Sequence, residues 1–185
     1  MEVYVTGKKT TNNVEVLCYK MDSFEIDKKT KIIVNKGYHA DIYFDNKRSD
    51  AYDAGVYGDT YLKPHRGKKC DIYVFAETDN KIECKYGVGK SGKVLNSYGN
   101  YTVSILSDDK GREALIKEFN VETRDIDAMA IRDRINPIIP EAFSKPEVVD
   151  ATTAKQVLKD TLTTKLATFG LKLEEINIEG INMEA

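Results

Sequence analysis

Long apolar runs are missing from this sequence of 185 residues. The longest, Ile72 to Ala76 (IYVFA), falls far short of the ~20 residues a membrane-spanning helix needs. The opening MEVYVTGKKTTNN has no basic stretch followed by an apolar core, so no secretory signal is read there. Charge of one sign is missing too. Basic residues number 28 against 30 acidic, the formal net charge is −2, and no block of like charge occurs. That removes the electrostatic footprint of a nucleic-acid binder. Cysteine is scarce, and Cys18, Cys70 and Cys84 form no CxxC pair. Reduced thiols in a cytosolic compartment are therefore expected. Zinc held by His65, Cys70 and Cys84 would lack the paired ligand spacing of structural sites, and Cys84 reads instead as a small buried hydrophobe in a strand. Histidine is confined to His39 and His65, no GxSxG elbow occurs, and no cysteine has an obvious histidine partner in sequence. The familiar signatures of nucleophilic catalysis are thus absent. Tryptophan is absent as well, against eleven Tyr and six Phe. YHADIYF and SYGNYT could offer stacking platforms to single-stranded nucleic acid. Without a basic stripe beside them, a half-buried sheet with tyrosine hydroxyls at its margin accounts for them better.

The rest of the composition is ordinary for a globular protein: 41% apolar and 31% charged residues, enough for one well-packed domain. No period of 20–50 residues repeats. The first 106 residues are strand-like. Val14 to Tyr19 alternates, with Val14, Val16 and Cys18 on one face, and Lys31 to Val34 is a short apolar run before a turn at Gly37. Tyr38 to Phe44 puts Ala40, Ile42 and Phe44 on a common face, and Asp45 to Arg48 is a polar turn. Asp71 to Ala76 and Lys81 to Tyr86 flank the turn Glu77 to Asn80 and predict a hairpin. Tyr101, Val103 and Ile105 share a side of a further strand.

The period then changes. Lys110 to Phe119 predicts a helix through Ala114, Leu115 and Phe119, weakened in its first turn by Gly111. The run from Thr123 carries Ile126, Met129, Ile131 and Ile135, and Pro137 and Pro140 must end or kink it. A third helix, about Ala151 to Phe169, sets Val157, Leu158, Leu162, Leu166 and Phe169 on one stripe. Asp150 or Thr153 can cap it, Gly170 sits where a left-handed C′ residue belongs, and Leu171 to Ile178 alternates as a closing strand. The expected fold is α+β: a largely antiparallel sheet, about three helices on one side, and a C-terminal strand. Residues 1–13 read as a flexible lead-in and residues 14–183 as a single domain.

Two stretches invite a chemical reading. Gly87 to Lys93, within YGVGKSGKV, satisfies GxxxxGK, the frame of a phosphate-binding loop. Such a loop needs a hydroxyl after its lysine for Mg²⁺ and must open a helix whose N-terminus meets the anion. Here Val94 follows Lys93. The register ending Gly89-Lys90-Ser91 supplies the hydroxyl but has Cys84 where glycine is required, and the residues after it, LNSYGNYTVSI, read as a turn and a strand. The loop reads as an inter-strand turn, with a nucleotide-binding enzyme as the alternative. Asp50, Asp53 and Asp59 crowd SDAYDAGVYGD, yet the spacing and closing Glu of a calcium loop are absent, so a solvated turn is expected. No catalytic, metal or cofactor residue is assigned.

Three stretches, in order, resemble the SPFH or band 7 family of stomatins, prohibitins and flotillins, and in particular its soluble bacterial branch labelled "virion core protein-like". TKIIVNKGYHADIYFDNKRSDAYDAGVY, Thr30 to Tyr57, is similar to that branch's strand–turn–strand opening. NSYGNYTVSILSDD, Asn96 to Asp109, resembles the family's glycine–x–tyrosine strand, which ends in an acidic turn before a helix. ATFGLKLEEINIEGIN, Ala167 to Asn182, resembles its closing helix, glycine and strand. Ala54 stands where the family often has proline, and Tyr86 where many members carry tryptophan. The matches cover roughly Val14 to Asn182, and none is a catalytic signature. The resemblance implies a non-catalytic scaffold that forms homo-oligomers, with assembly helices following at about Ala185 in a longer chain. It also implies a cytoplasmic location, peripheral to the inner face of the membrane, with membrane or membrane-protein partners and no nucleic acid. A phage or virion structural protein is the further alternative, on the branch's label alone. The helices read as core-facing, so weak or no lipid binding is expected of this chain by itself.

Overall fold

The computed structural model describes residues 1–77 and 79–185; Thr78, in the expected Glu77–Asn80 turn, lies outside the described residues. Seven short strands come first: β1 (Glu2–Val5), β2 (Cys18–Lys20), β3 (Phe24–Glu25), β4 (Lys31–Val34), β5 (Tyr38–Phe44), β6 (Lys47–Tyr52) and β7 (Gly55–Tyr57). A one-turn helix α1 (Asp59–Leu62) and a 3₁₀ turn (Lys63–His65) lead to β8 (Lys69–Ala76), β9 (Ile82–Val88) and β10 (Val94–Ile105). Helices α2 (Asp109–Phe119), α3 (Ala128–Ile135), α4 (Ile138–Phe143) and α5 (Ala151–Thr168) come next, and β11 (Leu171–Met183) closes the chain.

The α+β class and the predominance of antiparallel pairing agree with the sequence pattern; β1 against β4 is the parallel exception. The strands form three groups, ordered β1-β4-β7, β2-β8-β5-β6 with β3 also on β8, and β11-β10-β9. Strand β8 explains the layering. Cys70 to Ala76 is buried without interruption, so both faces must be covered. One face sends Tyr73 and Phe75 into a core shared with α2–α5, β9, β10 and β11. The other sends Cys70, Ile72 and Val74 into a second core with Ala40, Ile42 and Phe44 of β5 and the inner side of the β1-β4-β7 sheet. The apolar face read from Tyr38 to Phe44 is therefore real, and the opposite face of β5 is where the polar residues His39 and Asp41 lie.

Several expectations are corrected. The β8–β9 hairpin does not form: β8 pairs with β2, β3 and β5, while β9 pairs with β10. A strand buried on both faces gains most at the centre of a sheet, and both of its edges are taken by other strands. Residues 1–13, expected as a flexible lead-in, begin with a paired strand, and Val5 is fully buried. Val14 to Tyr19 forms a strand only from Cys18, and Val14 is exposed. The helix expected from Thr123 starts only at Ala128, and it ends before Pro137 as expected of that proline. Pro137 occupies the N-cap position of a second helix, α4, without a capping hydrogen bond, and Pro140 sits in its first turn, where its missing N–H is not needed. Met129, read as an apolar face position, is 62% exposed.

Caps fix the starts of the helices. Asp108, Asp127 and Asp150 each accept a backbone N–H three residues on, from Gly111, Ala130 and Thr153, worth about 1 kcal/mol apiece. Asp150 forms the capping box with Thr153, and Gln156 donates to Asp160 one turn further on. Gly170, φ +80°, turns the chain from α5 into β11.

Candidate functional site

The hairpin β5–β6 turns through Asp45 and Asn46, both with positive φ, and its register sets the polar face of β5. Ala40 lies opposite Tyr52 and Asp41 opposite Ala51, so His39 falls beside Asp53 just past the end of β6. On the other edge His39 is level with Phe75 and Asp41 with Tyr73. His39 and Asp41, two apart on a strand, project from the same face. Helix α2 covers that face, and its first turns bring Asp109, Arg112 and Glu113 to it.

The side chains that meet there are ionisable. His39 Nδ1 lies 3.0 Å from Asp53 Oδ1, and Nε2 lies 3.2 Å from Asp41 Oδ1. Arg112 Nε donates to Asp41 Oδ1 at 3.2 Å and Nη1 donates to the Ser107 carbonyl at 2.7 Å, while Nη2 bonds Asp109. Arg48 reaches Asp109 at 2.9 Å, Glu113 at 3.3 Å and Asp41 at 3.7 Å. The Asp41 side chain is 0% exposed and that of Asp53 84%. The Arg48 hydrogen bond and charge, with Arg112 close by, hold the Asp109 carboxyl below the usual range. Burial works against the Arg48 charge, but Asp109, Asp41 and Glu113 outweigh it and raise its pKa.

Asp41 Oδ2 and Arg48 Nε are buried with no hydrogen-bond partner among the described residues. Each such atom costs about 1–3 kcal/mol, and a packed apolar pair in the same place would avoid that cost. Beside the cluster opens a cleft of about 430 Å³, lined by His39, Asp53, Phe75, Ile105, Ser107 and Arg112 among others. Phe75 and Ile105 in its lining are buried, whereas Asp53 and Glu77 are exposed and make its rim acidic.

Sequence reading passed over this cluster because its members are far apart along the chain. Two local signals do mark it. Asp41 occupies the second face of a strand whose first face is already apolar. Arg112 stands three and seven residues before Leu115 and Phe119, on the apolar stripe of its own helix; its residue exposure is 5%.

Of the residues singled out from sequence, His39 and Asp53 meet in this cluster; the others lie elsewhere and do not converge. Gly87 and Val88 end β9, and Ser91 bridges Val94 in a tight turn where Gly92, φ +60°, rests on the backbone of Phe143 and Ser144. Lys93 then leads into β10, not a helix. Of the three aspartates, Asp53 meets His39, Asp59 is held by Arg66, and Asp50 lies on β6. His65 stacks on Phe44 with ring centroids 3.8 Å apart, while Cys70 and Cys84 belong to different cores. No group of three or more His, Cys, Asp or Glu that could hold a metal is found among the described residues. All three thiols are buried and free, and burial pushes those of Cys70 and Cys84 up to about 12. Among the described residues no helix is long and apolar enough to cross a membrane. No family model matches the chain, and no curated protein is significantly similar to it.

Proposed function

We propose that the chain is an assembly module of the SPFH/band 7 type, working through its surfaces rather than through a reaction. One observation supports the reading above the others. The second and third stretches of resemblance, some 70 residues apart, are direct neighbours: β10 and β11 pair antiparallel from Val94↔Met183 to Ile105↔Leu171. Stretches that resemble one family in order, and that fold onto one another, behave as parts of one unit. The first stretch supplies β4 to β7, and the charged cluster ties its hairpin to α2, directly after the second. The Asp41–Arg112 pair at the cluster's centre is buried on both sides, which suits a joint between elements.

The test is size-exclusion chromatography with light scattering on the natural full-length gene product, with liposome sedimentation alongside. Self-association into a defined oligomer, with the chain of 185 residues alone binding lipid weakly or not at all, is the expected outcome. A strictly monomeric and membrane-indifferent full-length protein would overturn the proposal.

A further inference from the structure

Two side chains hold the bend at Asp53, His39 through the Asp53 carboxylate and Tyr57 through its backbone carbonyl, and only the first can change with protonation in the neutral range. The Asp53 carboxylate meets His39 and no other side chain among the described residues. The Asp53 backbone carbonyl accepts from the Tyr57 hydroxyl at 2.7 Å. His39, with its side chain 13% exposed, has a carboxylate oxygen at each ring nitrogen. An imidazolium donates at both nitrogens, whereas a neutral ring donates at one and turns a lone pair toward the other carboxylate.

We propose that His39 is a proton-operated clasp, which as imidazolium holds the Asp53 bend beside the cleft and as the neutral ring releases it. Burial decides which carboxylate loses its partner. Asp41 has no access to water, so a lone pair aimed at it would go uncompensated. Asp53 is exposed, and water replaces the lost donor. The single proton of the neutral ring therefore stays on Nε2 toward Asp41, and the Asp53 contact becomes repulsive.

The surroundings act on both states. Asp41 faces the ring from β5 itself and Asp53 from the bend. Helix α2 brings Arg112 and Asp109, and Arg48 of β6 acts through Asp41 and Asp109 and carries Glu113 with it. Beyond Phe75, whose ring is tilted at 6.4 Å from the imidazole, Glu77 shares the cleft rim.

The experiment is a titration of the whole chain between about pH 5 and 8, the range in which imidazole charge changes. Long-range ¹⁵N spectra report the His39 ring, and backbone amide shifts with hydrogen exchange report Tyr52, Asp53 and Ala54. In the wild type the Asp53 and Ala54 amides should move with the midpoint of the ring. Their exchange, corrected for its intrinsic pH dependence, should quicken above that midpoint by up to about fivefold, the ceiling for an exposed ion pair. Asp53→Asn presents an amide that can donate to the neutral ring or accept from the charged one. In that variant the ring still titrates while the bend stays closed throughout. His39→Gln should remove the pH response of the bend. A wild-type ring that titrates while these amides stay fixed, or one that stays neutral across the range, overturns the proposal. So does an unchanged bend response in Asp53→Asn, whose exposed position leaves folding intact.

Discussion

Arg112 Nε donates to Asp41 Oδ1 across 3.2 Å, joining two buried side chains 71 residues apart. Removing Arg112 leaves the fully buried Asp41 carboxylate with only the Arg48 guanidinium, 3.7 Å away, and the His39 ring beside it, whereas removing Asp41 leaves Arg112 its contact with Asp109. Arg112→Met keeps most of the side-chain volume and should destabilise the fold by about 3–5 kcal/mol. In the double variant Arg112→Met/Asp41→Leu the orphaned charge is gone, and most of that loss should return. Urea denaturation of the two single variants and the double completes the cycle. A strictly additive double variant would mean that the two side chains stabilise the fold independently of one another.

The pH dependence of stability has a separate source at His65. Burial, then the Lys68 charge, lowers its pKa below the ordinary histidine value. A histidine whose folded pKa is depressed contributes stability that is fully present above the unfolded value, about 6.5. That contribution is lost as the pH falls through the folded value. Stability should therefore decline from pH 7 toward pH 5, and His65→Phe, which retains a ring to stack on Phe44, should flatten the decline. Asp71 has the same sign at lower pH. Burial raises it, but the Ser23 hydroxyl and the Lys20 and Lys69 charges prevail and lower its pKa. Its contribution holds above about pH 3.9 and is lost as pH falls through the depressed value, so Asp71→Asn should converge with the wild type only in strong acid. Thermal melts across pH 2 to 8 read both windows.

The two segments most easily read from sequence, Tyr38 to Phe44 and Ala151 to Thr168, carry their period in their own residues, and each side chain lies where that period puts it. The hairpin at Glu77 to Asn80 failed because a turn signal tells where a strand stops and not which strand lies beside it. Strand β8 finds its neighbours in β2, β3 and β5, and even its nearest pairing in sequence, Phe44 with Cys70, joins residues far apart along the chain. The charged cluster was hidden for the same reason. Its members come from β5, β6, the bend and α2, and only the tertiary fold brings them together. What the sequence did carry was each member's misfit with its own segment, an aspartate inside a strand and an arginine on an apolar stripe.

Gly170 and Gly111 meet so closely that a Cβ on Gly170 would stand 2.0 Å from the Gly111 carbonyl oxygen. Gly170 also has φ +80°, which costs an L-residue about 1–2 kcal/mol before any clash. Gly170→Ala should therefore lose more than that, and denaturant midpoints measure it. Gly87 is the contrast. It belongs to the phosphate-loop frame, yet its φ is unremarkable and a Cβ there meets nothing within 4 Å. Gly87→Ala should change stability by less than about 1 kcal/mol. If the frame is an inter-strand turn, titration of labelled ATP with Mg²⁺ gives no saturable binding in the wild type and none in Lys93→Ala. Saturable wild-type binding that Lys93→Ala abolishes would restore the enzyme reading.

Thiol chemistry reports how the two cores open. Cys70 lies in the core beneath the β1-β4-β7 sheet, and Cys18 and Cys84 lie in the helix-covered one. Only a thiolate reacts at a useful rate, and burial raises all three thiols above their ordinary value. At pH 8 in the native state a disulfide reagent should label each cysteine slowly, at a rate set by opening, and in urea all three should react at once. If the cores open as separate units, Cys70 will label at one rate, and Cys18 and Cys84 at a common second rate. Strand β8 runs through both cores and should couple them, so the expected result is a single rate for all three. Site-resolved mass spectrometry distinguishes the outcomes, and a Cys70 rate tenfold faster than the others would show that β8 can detach from one core while remaining in the other.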